Sequence, residues 1–124
     1  MILAPISAGE LIDKITILEI KCQKFEGAPY LNCKKELDAL NNILKTTSIR
    51  IDNDLITRLR IVNNKLWDIE DLIREKEKLN LFDDSFINLA RSVYKENDKR
   101  SKIKRKINLK NNSDFIEEKS YKDY

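Results

Sequence analysis

Apolar residues recur along most of the chain at alternating steps of four and three. Leu11, Ile15, Leu18, Cys22 and Phe25 make a first stripe, and Cys33, Leu37, Leu40 and Leu44 a second. Leu55, Leu59, Val62, Leu66, Ile69 and Ile73 make a third, and Phe86, Ala90 and Val93 open a fourth. This spacing returns side chains to one face of an α-helix, whereas a half-buried strand alternates by two. The pattern predicts an all-α fold: an antiparallel bundle of about four helices, built as two long helical hairpins.

Punctuation sets the expected boundaries. Ser7 and Glu10 read as a capping box, with Ile6 and Leu11 at the staple positions. Gly27 is expected to cap the first helix at its C-terminus, with Ala28-Pro29 as the turn. A second helix follows over about 30–46. Asp52, Asn53 or Asp54 is expected to cap a third helix running to about residue 79. Asp83 or Asp84 is expected to cap a fourth over about 84–109. Ile2 and Leu3 are expected to pack on the bundle. The remainder, 111–124, reads as a loosely ordered tail with one helical turn from Ser113 through Glu118.

The first helix differs from the others. Ile17 and Ile20 point away from its stripe and Ile12 flanks it, so apolar residues surround most of its circumference. Such a helix is buried on more than one side. It is expected either to lie at the centre of the bundle or to use its second face in a homodimer. Glu10, Lys14 and Lys21 share its narrow polar strip.

Composition narrows the chemistry. The chain has 124 residues, enough for one domain with its own core. There is no histidine, which removes Ser-His-Asp and Cys-His catalysis. Cys22 and Cys33 are too few for a zinc site and read as free thiols on apolar positions. No metal site and no cofactor are expected. No apolar run is long enough to span a membrane, and the N-terminus lacks the basic region of a signal peptide, so the protein is expected in the cytoplasm. Charge is uneven: residues 1–94 carry 14 basic and 15 acidic groups, residues 95–110 carry 8 and 2, and residues 111–124 carry 2 and 4.

Two polar constellations stand beside the apolar seams. On the third helix, Asn63, Trp67, Glu70 and Arg74 form a second stripe, with Asn64 and Asp71 further round. Read structurally, Trp67 is an aromatic at the core edge and Glu70–Arg74 a surface ion pair. On the fourth helix, Asn97, Arg100 and Lys104 fall on the expected seam, beside a stripe of Arg91, Tyr94, Asp98 and Arg105. Either the helix outruns its core there, or Asn97 fixes register as a buried polar group, or the cations form an anion pocket. The basic run 95–110 invites a nucleic-acid reading. Its charges are spread round the helix and lack interleaved aromatics, so a solvated face fits better. Its exposed face also lacks apolar anchors for a membrane surface. Glu10-x-x-Asp13 has no matching carboxylate pair on a partner helix, so Mg²⁺-dependent nucleotide cleavage is poorly matched.

The segments PISAGELIDKITILEIK, VNNKLWDIEDLIREKE, FDDSFINLARSVYKENDKRSKIKRKIN and EEKSY resemble a family of small, functionally uncharacterised bacterial and phage proteins. The resemblance covers most of the chain and is weakest over the second helix and residues 45–54. It implies a genomic setting near surface-polysaccharide and glycosyltransferase genes, and no activity. Its segments are rich in polar residues that an apolar bundle pattern does not require. Lys14, Asn64, Trp67, Glu70, Asp71, Arg74, Arg91, Tyr94, Asn97, Arg100 and Arg105 are the ligand-binding candidates.

Three functions are therefore weighed. One is a module binding a protein partner or a small anionic ligand. The second is an enzyme acting on a phosphorylated or nucleotide-sugar substrate, with Glu70 or Asp71 as base or Mg²⁺ ligand and Arg74, Arg91 and Arg100 as anion donors. The third is nucleic-acid binding through 95–110.

Overall fold

A computed structural model describes residues 1–124. Four helices follow one another: α1 (Ala8–Lys24), α2 (Gly27–Thr46), α3 (Asn53–Lys78) and α4 (Asp84–Lys110). There is no strand. α1 pairs with α2, and α3 with α4, as two helical hairpins. α1 also packs on α3 and α4, whereas α2 rests on α1 alone. The expectation of a central first helix is met inside one chain. Ile12 and Ile20 are buried with the main stripe of Leu11, Ile15 and Leu18.

Two apolar clusters follow from this arrangement. Ala8 and Ile12 of α1 meet Leu55, Leu59 and Val62 of α3 and Ile103 and Ile107 of α4. Leu11, Ile15 and Leu18 on the other side of α1 meet Leu37 of α2, with Cys22 and Cys33 at the margin. Both cysteines are free. No helix is long and apolar enough to cross a membrane.

Several local expectations change. The α1–α2 link is only Phe25 and Glu26. Gly27 has φ +65°, a conformation that favours glycine, but it opens α2 instead of capping α1. Pro29 falls in the first turn of α2, where the amide it lacks has no helical partner. Ser7 accepts from the Glu10 amide at 3.1 Å, but the Glu10 carboxylate turns to Lys104, so only half the capping box forms. Asp52 caps α3 and Asp83 caps α4. Ile2 and Leu3 are exposed, not packed. The tail after Asn111 contains no helical turn; its glutamates are drawn back along α4 by that helix's cations.

The fourth seam is displaced by one residue at alternate positions. Phe86, Leu89 and Val93 are half-buried, and the seam continues through Glu96, Arg100, Ile103 and Ile107. Ala90 and Asn97 point to solvent. Both frames share Phe86, Val93, Arg100 and Ile107, and the bulk of Leu89 and Ile103 selects the observed one. Asn97 therefore does not set register from a buried position. Beyond the end of α1, the α3–α4 hairpin projects as an arm, with no buried residue between Ile69 and Glu96.

Candidate functional site

The N-terminus of α1 is plugged into α4. Its Gly9 amide donates to Asn108 Oδ1 at 2.7 Å, and the Ala8 amide to Ser113 Oγ at 3.2 Å. These bonds satisfy first-turn donors that a helix leaves open. The approach is so close that a Cβ on Gly9 would lie 2.6 Å from the Lys104 carbonyl oxygen. One turn further, Asp13 is 1% exposed and lies at the junction of three helices. Arg100 grips its carboxylate through two nitrogens, with Nε 3.0 Å from Oδ1. Asn63 of α3 donates to Asp13 Oδ1 and to Thr16 Oγ1, both at 2.9 Å. Thr16 in turn donates to the Asp13 carbonyl at 2.8 Å. No buried side-chain polar atom in the protein lacks a partner. A buried charge is tolerable only in such a fully paired state.

Lys104 carries this network outward. Its Nζ donates to Glu10 Oε2 and Glu117 Oε2 at 2.9 Å each, and lies 3.8 Å from Asp13 Oδ2. Burial pulls the Lys104 ammonium down, but Glu10, Glu117 and Asp13 outweigh it and hold it above its ordinary value. The hydrogen bond to Asp13 raises Arg100 against the opposing effect of burial. Lys119 and Lys104 together draw Glu117 down to about 2.

Glu117 belongs to the tail, which lies along α4 by polar contacts. Glu118 accepts from Arg105 at 3.3 Å, and the Tyr124 hydroxyl donates to Asp98 Oδ2 at 2.5 Å. That bond pushes the Tyr124 phenol up to about 12. The Tyr124 ring meets the Tyr94 ring edge to face, with centroids 5.2 Å apart. Between tail and helix lies a pocket of about 470 Å³. Tyr94, Tyr121 and Tyr124 supply its aromatic surface, and Arg100, Lys104, Lys119 and Lys122 its cations. Asn97, Asp98, Ser101 and Glu117 add hydrogen-bonding groups.

The pocket gathers three of the sequence candidates: Tyr94, Asn97 and Arg100. The others lie elsewhere. Trp67 packs edge-on against Phe25, with centroids 6.0 Å apart. Glu70 and Arg74 form an exposed i,i+4 pair at 3.4 Å. Asn64 donates to the Arg60 carbonyl, and Lys14, Asp71 and Arg91 are exposed. Arg105 faces the tail through Glu118. The two constellations therefore do not converge. The polar break in the fourth stripe falls on the segment that lines this pocket, but the tail half of the pocket carried no periodic signal.

No group of three or more His, Cys, Asp or Glu side chains is placed to hold a metal ion. No curated protein and no solved structure matches the chain. A family model described as a family of unknown function (DUF6165) matches residues 2–124. With nearly the whole chain covered, the protein belongs to that family.

Proposed function

We propose that the protein is a binding module for a small anionic ligand, held between α4 and the tail. The observation that carries this reading is the pocket itself, where three tyrosines stand beside Lys119 and Lys122 over α4. Arg100 and Lys104 are not its free donors. Asp13 occupies the guanidinium, and Glu10 and Glu117 the ammonium. They fix the wall, and Lys122, which enters no ion pair, is the cation available to a ligand. The cytoplasm suits two unpaired cysteines. The enzymatic alternative loses its geometry, because Glu70 and Asp71 lie apart from the pocket that Arg100 lines.

Thermal denaturation with inorganic phosphate, sulfate and citrate tests the reading. A ligand at 100 times its Kd stabilises by about 2.7 kcal/mol, and Lys122→Ala should remove about half of the shift. An anion-induced shift that Lys122→Ala leaves intact would place the binding elsewhere.

A second reading concerns the arm. Leu72, Leu79, Leu81, Phe82 and Ile87 are exposed on it, and a two-helix layer lacks the second layer that completes a core. A second copy is the occupant that its charges favour. On α3, Glu70 and Asp71 near the base give way to Arg74, Lys76 and Lys78, interleaved with Glu75 and Glu77, toward the tip. On α4, Asp83 and Asp84 at the tip give way to Arg91 and Lys95 at the base. Two arms laid antiparallel bring unlike ends together, as an isologous dimer interface requires. Light scattering after size exclusion should give twice the chain mass, and Leu79→Glu with Phe82→Glu should return a monomer. A monomer at high concentration for the unaltered chain refutes this reading.

A further inference from the structure

The tyrosine pocket does not end at the tail. A second, broader concavity of about 770 Å³ adjoins it. Asp98, Ser101, Lys119, Tyr121, Lys122 and Tyr124 line both, so the two form one cleft. The added part brings Lys95, Lys99 and Lys102 from successive turns of α4, so that five lysines face two aspartates, Asp98 and Asp123. The state of these lysines differs. Lys99 is held by Glu96 at 3.0 Å, and Lys119 by Glu117 at 2.5 Å. Lys95, Lys102 and Lys122 enter no ion pair. Asp98 is already engaged by the Tyr124 hydroxyl. Three ammonium groups outside any ion pair, against the one unengaged carboxylate of Asp123, therefore border one open concavity, beside a smaller compartment walled by tyrosines.

This division has a chemical meaning. A single carboxylate or phosphate needs one such cation, and it leaves the tyrosine compartment unfilled. Lysine ammonium groups bind phosphate as point charges and accommodate several oxygens without fixed geometry. Aromatic walls take a planar ring by stacking or edge contacts. The volumes fall in the range of small-ligand sites, and a nucleic-acid strand needs a groove that tracks several nucleotides.

Resting on the anion-binding reading above and narrowing it, we infer that the cleft takes a nucleoside diphosphate. Its ring system sits among Tyr94, Tyr121 and Tyr124, and its diphosphate lies over Lys95, Lys102 and Lys122.

Isothermal titration of the full chain at low ionic strength tests this, with AMP, ADP, UDP, inorganic pyrophosphate and a ten-residue oligouridylate as probes. ADP or UDP should bind at least tenfold more tightly than AMP and than pyrophosphate. The double variant Lys95→Ala, Lys102→Ala should erase the preference for ADP over AMP. Tyr121→Ala should weaken ADP and leave pyrophosphate unchanged. Equal affinity for AMP and ADP, or a preference that survives the double variant, overturns the inference and leaves anion binding standing. Binding that is strongest for the oligouridylate overturns it in favour of a single strand. If neither these probes nor phosphate, sulfate and citrate bind, the anion-binding reading falls as well.

Discussion

Two polar regions lie within one helical turn of each other on α4, and they use charge in opposite ways. Around Asp13, the carboxylate is buried and matched by a half-buried guanidinium: Arg100 on two nitrogens, Asn63 from α3, Thr16 from its own helix. In the tail cleft, lysines outnumber carboxylates and three of them have no partner. The first arrangement resists change, because removing one member strands the others out of water. The second tolerates change, because its groups are solvated whether or not a ligand is present. The structural role and the proposed recognition role are therefore separated by burial, not by residue type, and Arg100 and Lys122 fall on opposite sides of that division.

Asp13→Ala is the severest test of the contrast. It leaves the Arg100 guanidinium without its carboxylate, and breaking a buried pair in this way costs about 3–5 kcal/mol. Thermal denaturation should show a fall on the order of 10 °C. A change of only a degree or two would mean that water reaches the network. Gly9→Ala comes next. Alanine is favoured over glycine in a helix by about 1 kcal/mol, but its Cβ would meet the backbone of α4. Overpacking of that kind costs about 1–3 kcal/mol. Net destabilisation of up to about 2 kcal/mol by urea titration is expected, and a stabilised variant would show that α1 and α4 can separate freely. Lys122→Ala should fall at the other end, within about 0.5 kcal/mol of the parent in stability, while weakening anion binding about tenfold.

The smallest effects concern the tail and pH. Glu117 is held at about 2 by Lys119 and Lys104, below an ordinary glutamate. Its contribution is therefore complete above the ordinary carboxylate range and is lost as pH falls toward 2. NMR of the Glu117 side-chain carbonyl should titrate with a midpoint near that value, and an ordinary glutamate midpoint would mean that the tail is detached. Tyr124 has the opposite sign. Its phenol is raised to about 12 by Asp98, so the contribution is present below the ordinary tyrosine value and fades as pH rises toward 12. Ultraviolet titration of Asp98→Ala should restore an ordinary phenol.

The stripes of α1 and α3 were legible, because five and six apolar positions at 4–3 spacing leave no other frame. The seam of α4 was legible only in part. Phe86, Val93, Arg100 and Ile107 belong to either of two frames, and Ala90 carries too little apolar area to outweigh Leu89. The choice moved Asn97 outward and buried Glu96, which Lys65 and Lys99 neutralise from flanking positions. Burial pushes the Glu96 carboxyl up, but the bonds from those two lysines outweigh it and hold it low. Trp67, Glu70 and Arg74 were placed together correctly as neighbours on a helix, but helix spacing says nothing about which face a second element covers. The tail was opaque. Glu117 and Tyr124 reach the site through ion pairs and a hydroxyl bond to residues far along the chain, and such contacts leave no period to read.

The central place of α1 also bears on the order in which the molecule assembles. Its partners come late in synthesis: Asn63 lies 50 residues after Asp13, and Arg100 lies 87 after it. α1 can pair early with α2 through Leu11, Ile15, Leu18 and Leu37, leaving Asp13 hydrated. The carboxylate is withdrawn from water only when α4 arrives with the guanidinium that compensates it. Closure of so long a loop is slow relative to local hairpin formation. Folding should thus show a fast helical phase and a later step that Arg100→Ala slows, and the half-made chain would expose its apolar α1 face to chaperones in the interval.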